Sequence, residues 1–482
     1  MSTQINTTDS AAPLRFQEKL GYGLGDAASN FFFQTFNIFL LYYYTDVFGI
    51  PAAAVGTMFL VTKIIDAISD PVMGLVADRT NTKWGKFRPY LLWGAIPYGV
   101  FGFAMFASPD LSENGKLVYA YITYTLVMLA YTIINVPYSA LMGVISSSSM
   151  ERTKVASYRF ICAFGAGWVI ATFVGPLKDA LGGGDEALGF KLTMALFAAA
   201  SVVLFWVTFA TTKERVEPVQ EETDVRLDFR ALFSNGPWIV LFLTAIFTLM
   251  NVAIRGGTTL FYFKYVVEGG QDKVFDLAFL LFNTWQIDTG LSFDKTSVFL
   301  STGLLAMIVG IALTKTLAMY FEKRSLLIVL TILNAISLGV FFFIPSDQYW
   351  LMVGVNCIGS LLAGPTPALV WAMYTDTADY GEWKTGRRTT ALIFSSLMFA
   401  QKLGLAVGAG LSGIILGAFG YVANEIQTEE ALVGIRLTFS LIPAAFAIAG
   451  ALMVIFYKID MVTIERMEKE LVQRKSESEA TA

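Results

Sequence analysis

Three ionisable residues stand inside one long apolar run: Lys63, Asp66 and Asp70. Their spacing of three and then four residues puts all three on one face of a helix. An ionisable group at bilayer depth costs several kcal/mol unless it is paired, so its presence asks for a function. Two carboxylates one turn apart chelate a small hard cation or share a proton, and a lysine beside them compensates one charge when the cation is absent. The plain alternative is a charge cluster that locks helices together. Far along the chain, Lys402 sits in the middle of another apolar run, in Ala400-Gln401-Lys402-Leu403-Gly404, with no acidic neighbour on its own helix. Its partner must come from elsewhere, and Asp66 or Asp70 is the natural candidate. Asn30, Tyr131, Thr132 and Asn135 stand at similar depth in their own runs. Amides, phenols and hydroxyls donate and accept without carrying charge, which suits a neutral, hydroxyl-rich ligand. Trp371 offers a ring face for a sugar, or ordinary helix packing. Arg159 opens another run and reads as a gate or snorkelling residue.

Composition narrows the chemistry. The chain has 482 residues, 55% of them hydrophobic and 15% charged, and no histidine. Ordinary soluble domains carry roughly 25% charged residues. Without imidazole, Ser-His-Asp and Cys-His hydrolases and HExxH metalloproteases are excluded. Cys162 and Cys357 stand alone, so no disulfide framework or CxxC metal site is expected. The net charge of −4 is spread along the chain, and no basic patch points to nucleic acid. No cofactor is expected beyond a coupling cation.

These residues need membrane helices to position them. A span takes about 20 apolar residues, and twelve such segments are read: 19–47, 51–78, 88–108, 116–146, 155–178, 188–211, 236–266, 296–321, 324–345, 348–377, 387–419 and 431–457. A charged stretch, KERVEPVQEETDVRLDFR, separates the first six from the last six. The expectation is an all-α membrane protein: a six-helix bundle over 1–212, a cytoplasmic linker over 213–235, a second six-helix bundle over 236–458 and a cytoplasmic tail over 459–482. Two such bundles are the pattern of a secondary transporter. Arg79, Lys83, Lys86, Arg88, Arg152, Lys154, Lys384, Arg387 and Arg388 fall in alternate loops, while Tyr421 to Ala431 carries three glutamates and no Lys or Arg. Both termini are therefore expected inside. In the connection from Gly269 to Asp294, the run Phe275 to Trp285 reads as a short interfacial helix. In the tail, Ile464, Met467 and Leu471 share one face of a helix expected over Thr463 to Lys475, packed on the bundle or lying on the membrane.

At these residues a family resemblance enters. YYYTDVFGI (Tyr42 to Ile50), KIIDAISDPVMG (Lys63 to Gly74), DRTNTKWGKFRP (Asp78 to Pro89), YTIINVPYSAL (Tyr131 to Leu141) and DTADYGEWKTGRR (Asp376 to Arg388) resemble the glycoside-pentoside-hexuronide:cation symporters, a branch of the major facilitator superfamily. The resemblance covers nearly the whole chain. It implies the major facilitator fold, a sugar cargo, a coupling cation (Na⁺ or H⁺) and a monomer in the bacterial cytoplasmic (inner) membrane. By resemblance, Asp66 and Asp70 are the cation-site carboxylates, and the Na⁺ ligands if sodium couples, with Thr132 and Asn135 completing that site. Asn30, Lys63, Tyr131, Trp371 and Lys402 are the expected substrate contacts. Arg152, Arg159, Asp376, Asp379, Glu382 and Arg388 are the expected cytoplasmic gate. Where melibiose carriers have acidic residues in helices one and four, this chain has Asn30 and Asn135, which turns the expectation from α-galactosides toward the glucuronide and xyloside branch. Gln401 stands where glucuronide carriers have arginine, which favours a neutral glycoside, pentoside or oligosaccharide. A lysolipid or other amphiphile carried by the same fold stays open as the alternative cargo. An intramembrane aspartyl enzyme is disfavoured, because both carboxylates lie on one helix.

Overall fold

The computed structural model describes residues 13–146, 148–216, 232–276, 291–386 and 390–481. The long apolar runs form helices, and six of them are started by a polar cap: Ser112, Ser148, Asp185, Asn235, Asp294 and Thr428 each accept a bond from a free backbone N–H of the first turn. In the first half, α1 (Phe16–Ile38) continues as Leu40–Tyr42 and ends in a π turn, Tyr43–Val47. It is followed by α2 (Ala52–Arg79), α3 (Arg88–Ala104), α4 (Glu113–Val144), α5 (Ser149–Gly182) and α6 (Glu186–Thr211). The second half holds α7 (Gly236–Tyr265), α8 (Lys295–Tyr320), α9 (Lys323–Val340), α10 in two pieces (Tyr349–Ala363 and Thr366–Thr385), α11 (Thr390–Ala418) and α12 in two pieces (Glu429–Phe439 and Leu441–Val454). A final helix, α13 (Met461–Thr481), forms the tail.

Among the described residues, ten segments are long and apolar enough to cross a membrane. The α1 and α3 helices fall outside that criterion, α3 because it has only 17 residues. Both nevertheless pack as members of the first half: α1 against α5 and α6, α3 against α4 and α6. In the second half α7 packs on α11 and α12, and α8 on α10. The main contacts between the halves are α2 on α11 and α5 on α8. The chain is thus an all-α, multi-pass membrane protein.

The break in α12 has a local cause. Pro443 has no N–H, so the Phe439 carbonyl one turn earlier loses its helical partner. Arg255 of α7 fills the gap, donating from Nη1 to that carbonyl at 3.1 Å, while the Phe341 and Phe439 rings cover its guanidinium at 4.5 and 4.3 Å. The start of the linker is fixed to the first half. The Glu214 carboxylate accepts backbone N–H bonds from Lys86, Phe87 and Arg88 at 2.8, 2.8 and 3.0 Å, capping α3. Arg215 pairs with Glu18.

The interfacial helix expected over Phe275 to Trp285 is corrected at its start. Phe275 and Asp276 belong to a strand, β1 (Lys273–Asp276), paired antiparallel with β2 (Ser292–Asp294), and the Phe275 and Phe293 rings stack at 4.9 Å. Alternating residues at a polar turn favoured the ladder over a helix. The rest of that run lies outside the described residues. The tail helix is longer than expected. It buries Met467 and packs Ile464 on the second half, and Glu470 accepts from Trp383 Nε1 at 2.6 Å.

Candidate functional site

The acidic pair lies midway along α2. Asp66 is almost completely buried, and Lys63 Nζ reaches its Oδ2 at 3.2 Å from one turn away. From α4, the Thr132 hydroxyl lies 3.2 Å from Asp66 Oδ1 and 3.0 Å from Asp70 Oδ1. A hydroxyl carries one proton, so Thr132 serves one carboxylate at a time. The fourth member comes from the other half: Lys402 of α11 is bonded to Asp70, and its Nζ lies 3.6 Å from Asp66 Oδ2. Two ammonium groups therefore face two carboxylates, and the cluster is formally neutral without any added ion. Such burial is tolerable because every charge has a partner; removing one member leaves an uncompensated buried charge.

Glycines bring α11 close enough. A Cβ placed on Gly417 would lie 2.9 Å from Ala53 Cβ, and one on Gly413 would lie 2.9 Å from the Gly56 nitrogen. The α2 and α11 backbones are thus in direct contact through Gly56, Gly410, Gly413 and Gly417, and Lys402 reaches the acidic pair from below this seam.

The polar residues expected near the sugar gather on α1 and α4. Tyr131 is packed between Phe33 and Tyr98. Asn30 donates to the Asp26 carbonyl at 2.8 Å. Asn135, expected as a cation ligand, is engaged elsewhere: its Oδ1 accepts from Ser29 at 2.9 Å and its Nδ2 donates to the Tyr131 carbonyl at 3.1 Å. It therefore groups with Asn30 and Tyr131. Trp371 meets Phe160 of the opposite half edge-on, with ring centroids 6.3 Å apart.

The residues expected as a gate separate into distinct places. Arg159 lies inside the first half, paired with Asp26 at 3.0 Å and lying over the Tyr138 ring at 5.5 Å. Tyr138 in turn stacks on Tyr22 at 4.6 Å. Asp376 pairs with Lys323 at 2.8 Å, joining α10 to α9 within the second half. Arg152 donates to the Ser146 carbonyl at 3.0 Å. Asp379 and Glu382 lie on the same segment of α10 as Asp376, and Arg388 lies outside the described residues. Beside Arg152, Glu151 lies in the first turn of α5, which Ser148 caps, and its carboxylate accepts from the Leu14 N–H at 3.0 Å. Hydrogen bonds from Lys154 (2.7 Å) and Lys19 (2.8 Å) hold it down to about 2.

Among the charges that sequence reasoning missed are the buried Asp26, the half-buried Arg255 and the buried Asp46. All three lie within or at the end of apolar runs, so the rule that singled out Asp66 would have found the first two. A cavity of about 300 Å³ lies away from the acidic pair, between the halves at the end opposite the termini; Tyr42, Lys178, Glu186, Lys264, Asp294 and Ser297 contribute to its lining.

Comparison with known proteins gives the family. The model of the MFS/sugar transport protein family matches residues 21–461. The inner membrane symporter YicJ of Escherichia coli (strain K12) is 37% identical over 96% of both chains. The putative glycoside/cation symporter YagG of the same strain is 34% identical over 96% of both. The isoprimeverose transporter of Lactiplantibacillus pentosus is 32% identical over 97% of this chain and 93% of that one. Among solved structures, a bacterial homologue of the lysosomal transporter Spinster in an inward-facing conformation shares the fold with a TM-score of 0.60 at 12% identity, covering 94% of this chain and 96% of that one. The chain belongs to the glycoside-pentoside-hexuronide:cation symporter family of the major facilitator superfamily, and it is a sugar symporter, not an enzyme.

Proposed function

We propose that this protein imports a neutral glycoside, pentoside or oligosaccharide together with Na⁺ or H⁺ by alternating access. The observation that carries the reading is Lys402. Its ammonium is bonded to Asp70 and stands 3.6 Å from Asp66, so it occupies the electrostatic place of a coupling cation. A cation arriving at Asp66, Asp70 and Thr132 displaces Lys402, which is then free to turn to the sugar beside Tyr131 and Asn30. Cation and sugar thereby favour each other's binding, because linkage is reciprocal. With no histidine in the chain, a coupling proton resides on Asp66 or Asp70 themselves. Trp371 and Lys63 are the further substrate contacts of this reading. Arg152, Arg159, Asp376, Asp379, Glu382 and Arg388 serve the inner face, Arg159 by fixing Asp26 beside the sugar residues.

In this reading α1 and α3 complete twelve spans, with bundles over 1–212 and 236–458, a linker over 213–235 and a tail over 459–482. The protein works as a monomer in the bacterial inner membrane with both termini cytoplasmic. The α2–α11 seam then seals the outer side. The test is uptake of candidate glycosides by wild type and Asp70→Asn, with and without Na⁺ and across pH. Cation dependence disappears in the variant if the assignment holds; an unchanged dependence overturns it.

A further inference from the structure

Among the described residues, a second ionic contact between the halves lies at the end opposite the termini, and its centre is Asp46. The π turn that closes α1 adds a residue to the last turn and swings this carboxylate toward the second half. Its side chain is fully buried. Lys264 Nζ, at the end of α7, donates to Oδ1 at 2.8 Å, and the neighbouring Tyr265 hydroxyl donates to the same oxygen at 2.5 Å. Tyr421, past the end of α11, donates to Oδ2 at 2.5 Å, and Thr45 donates to the same oxygen at 2.8 Å. Asn424 closes the ring: its Nδ2 donates to the Asp46 carbonyl at 2.6 Å, and its Oδ1 accepts from Lys264 at 2.7 Å. Lys264 also reaches the Tyr42 hydroxyl at 3.2 Å, and Tyr42 donates to Glu186 at 3.2 Å. Three of the four side chains that donate to the carboxylate come from the second half.

Three ion pairs near the termini contrast with this. Arg215–Glu18, Lys19–Glu151 and Lys323–Asp376 each join elements of one half. Those pairs survive a separation of the halves, whereas the Asp46 cluster does not.

We propose that Asp46 is the latch of the outer gate: it holds the two halves together on the side opposite the termini, and transport requires its cluster to break and re-form once per cycle. Lys264 and Tyr42 also line the cavity between the halves, so breaking the latch frees two of its walls. The proposal rests on the alternating-access reading and on the orientation given above.

The experiment reads the seam beside the latch. Thr172 of α5 is buried and donates to Ser301 of α8 at 3.0 Å. Thr172→Cys is made in a background carrying Cys162→Ser and Cys357→Ser, and its alkylation by a membrane-impermeant maleimide is timed in right-side-out and inside-out vesicles. Asp46→Asn raises the rate in right-side-out vesicles by roughly tenfold, the factor expected when a closed state loses a strong cross-link. Should Asp46→Asn fail to reach the membrane, the double variant Tyr265→Phe/Tyr421→Phe removes two donors and keeps the ion pair, and the same rise is expected there. A rise confined to inside-out vesicles keeps the latch and overturns the orientation. An unchanged rate on both sides, in whichever variant reaches the membrane, overturns the latch.

Discussion

Two ionic clusters among the described residues join the halves of this molecule, and they are built on opposite principles. At Asp66 and Asp70, two carboxylates meet two lysines and share one hydroxyl proton; Lys402 and Asp70 remain 31% and 27% exposed. At Asp46, one carboxylate with no exposure takes one lysine and three hydroxyls. The first is balanced chiefly by charge, and on the proposed function another cation replaces Lys402 there. The second is satisfied largely by neutral donors whose directions are fixed, and no simple ion reproduces that set. On the two proposals above, the difference separates a site built for exchange from one built to hold the halves shut.

The comparison can be broken most directly at Lys402. Lys402→Met removes the internal competitor and leaves the acidic pair under-compensated. Cation affinity, read by calorimetry on purified protein, is expected to rise about 5–150-fold, while sugar uptake falls because the coupled release is gone. Unchanged affinity would show that Lys402 does not compete for the site. A next step is Gly413→Val, which places a branched side chain against the α2 backbone. Overpacking of this kind costs about 1–3 kcal/mol; the variant should melt earlier and lose both cross-half clusters together, whereas a wild-type melting curve would show that the helices have room to spare.

Glu151 offers a control within one half. Its carboxyl sits near 2 against an ordinary value of 4.5, so its stabilisation is complete above 4.5 and is lost as pH falls through about 2. Glu151→Gln should destabilise by on the order of 2–3 kcal/mol at neutral pH, and the gap to wild type should close as unfolding is followed down that window. A pH-independent gap would place the loss in packing instead of charge. The smallest effect is expected at Asn135. Asn135→Ala deletes bonds worth about 1 kcal/mol, so the KM for sugar should rise severalfold while the cation affinity stays put; a shift in cation affinity would return Asn135 to the cation site.

Much of the central cluster was legible in the sequence because charges are rare in apolar runs and their spacing on a helix is regular. Lys63, Asp66 and Asp70 declare a common face, and an isolated Lys402 demands an acidic partner. The fold was legible for the same reason: run lengths match the bilayer and polar residues mark the turns. Asp46 was not recognised, although its motif was, because a carboxylate at the end of a span looks solvated; it is buried by Tyr265 and Tyr421, more than 200 positions away in the chain. Asn135 was expected at the cation site by resemblance, and neither resemblance nor depth along α4 says which way a side chain turns; here its amide bonds Ser29 and the Tyr131 carbonyl. Arg255 makes sense only once Pro443 is seen to free the carbonyl that it serves. The partners of Asp376 and Arg159 were equally hidden, since a gate and an internal brace draw on the same residue types.

The glycine seam between α2 and α11 bears on how such a molecule moves. A contact made by side chains must reorder rotamers whenever its surfaces tilt, and each long side chain that is freed and fixed again exchanges up to about 2 kcal/mol of conformational entropy. Backbone lying on backbone at Gly56, Gly410, Gly413 and Gly417 has no rotamers to reorder. A seam of this kind parts and closes again with little side-chain entropy at stake, and leaves the ionic clusters to set which state is held.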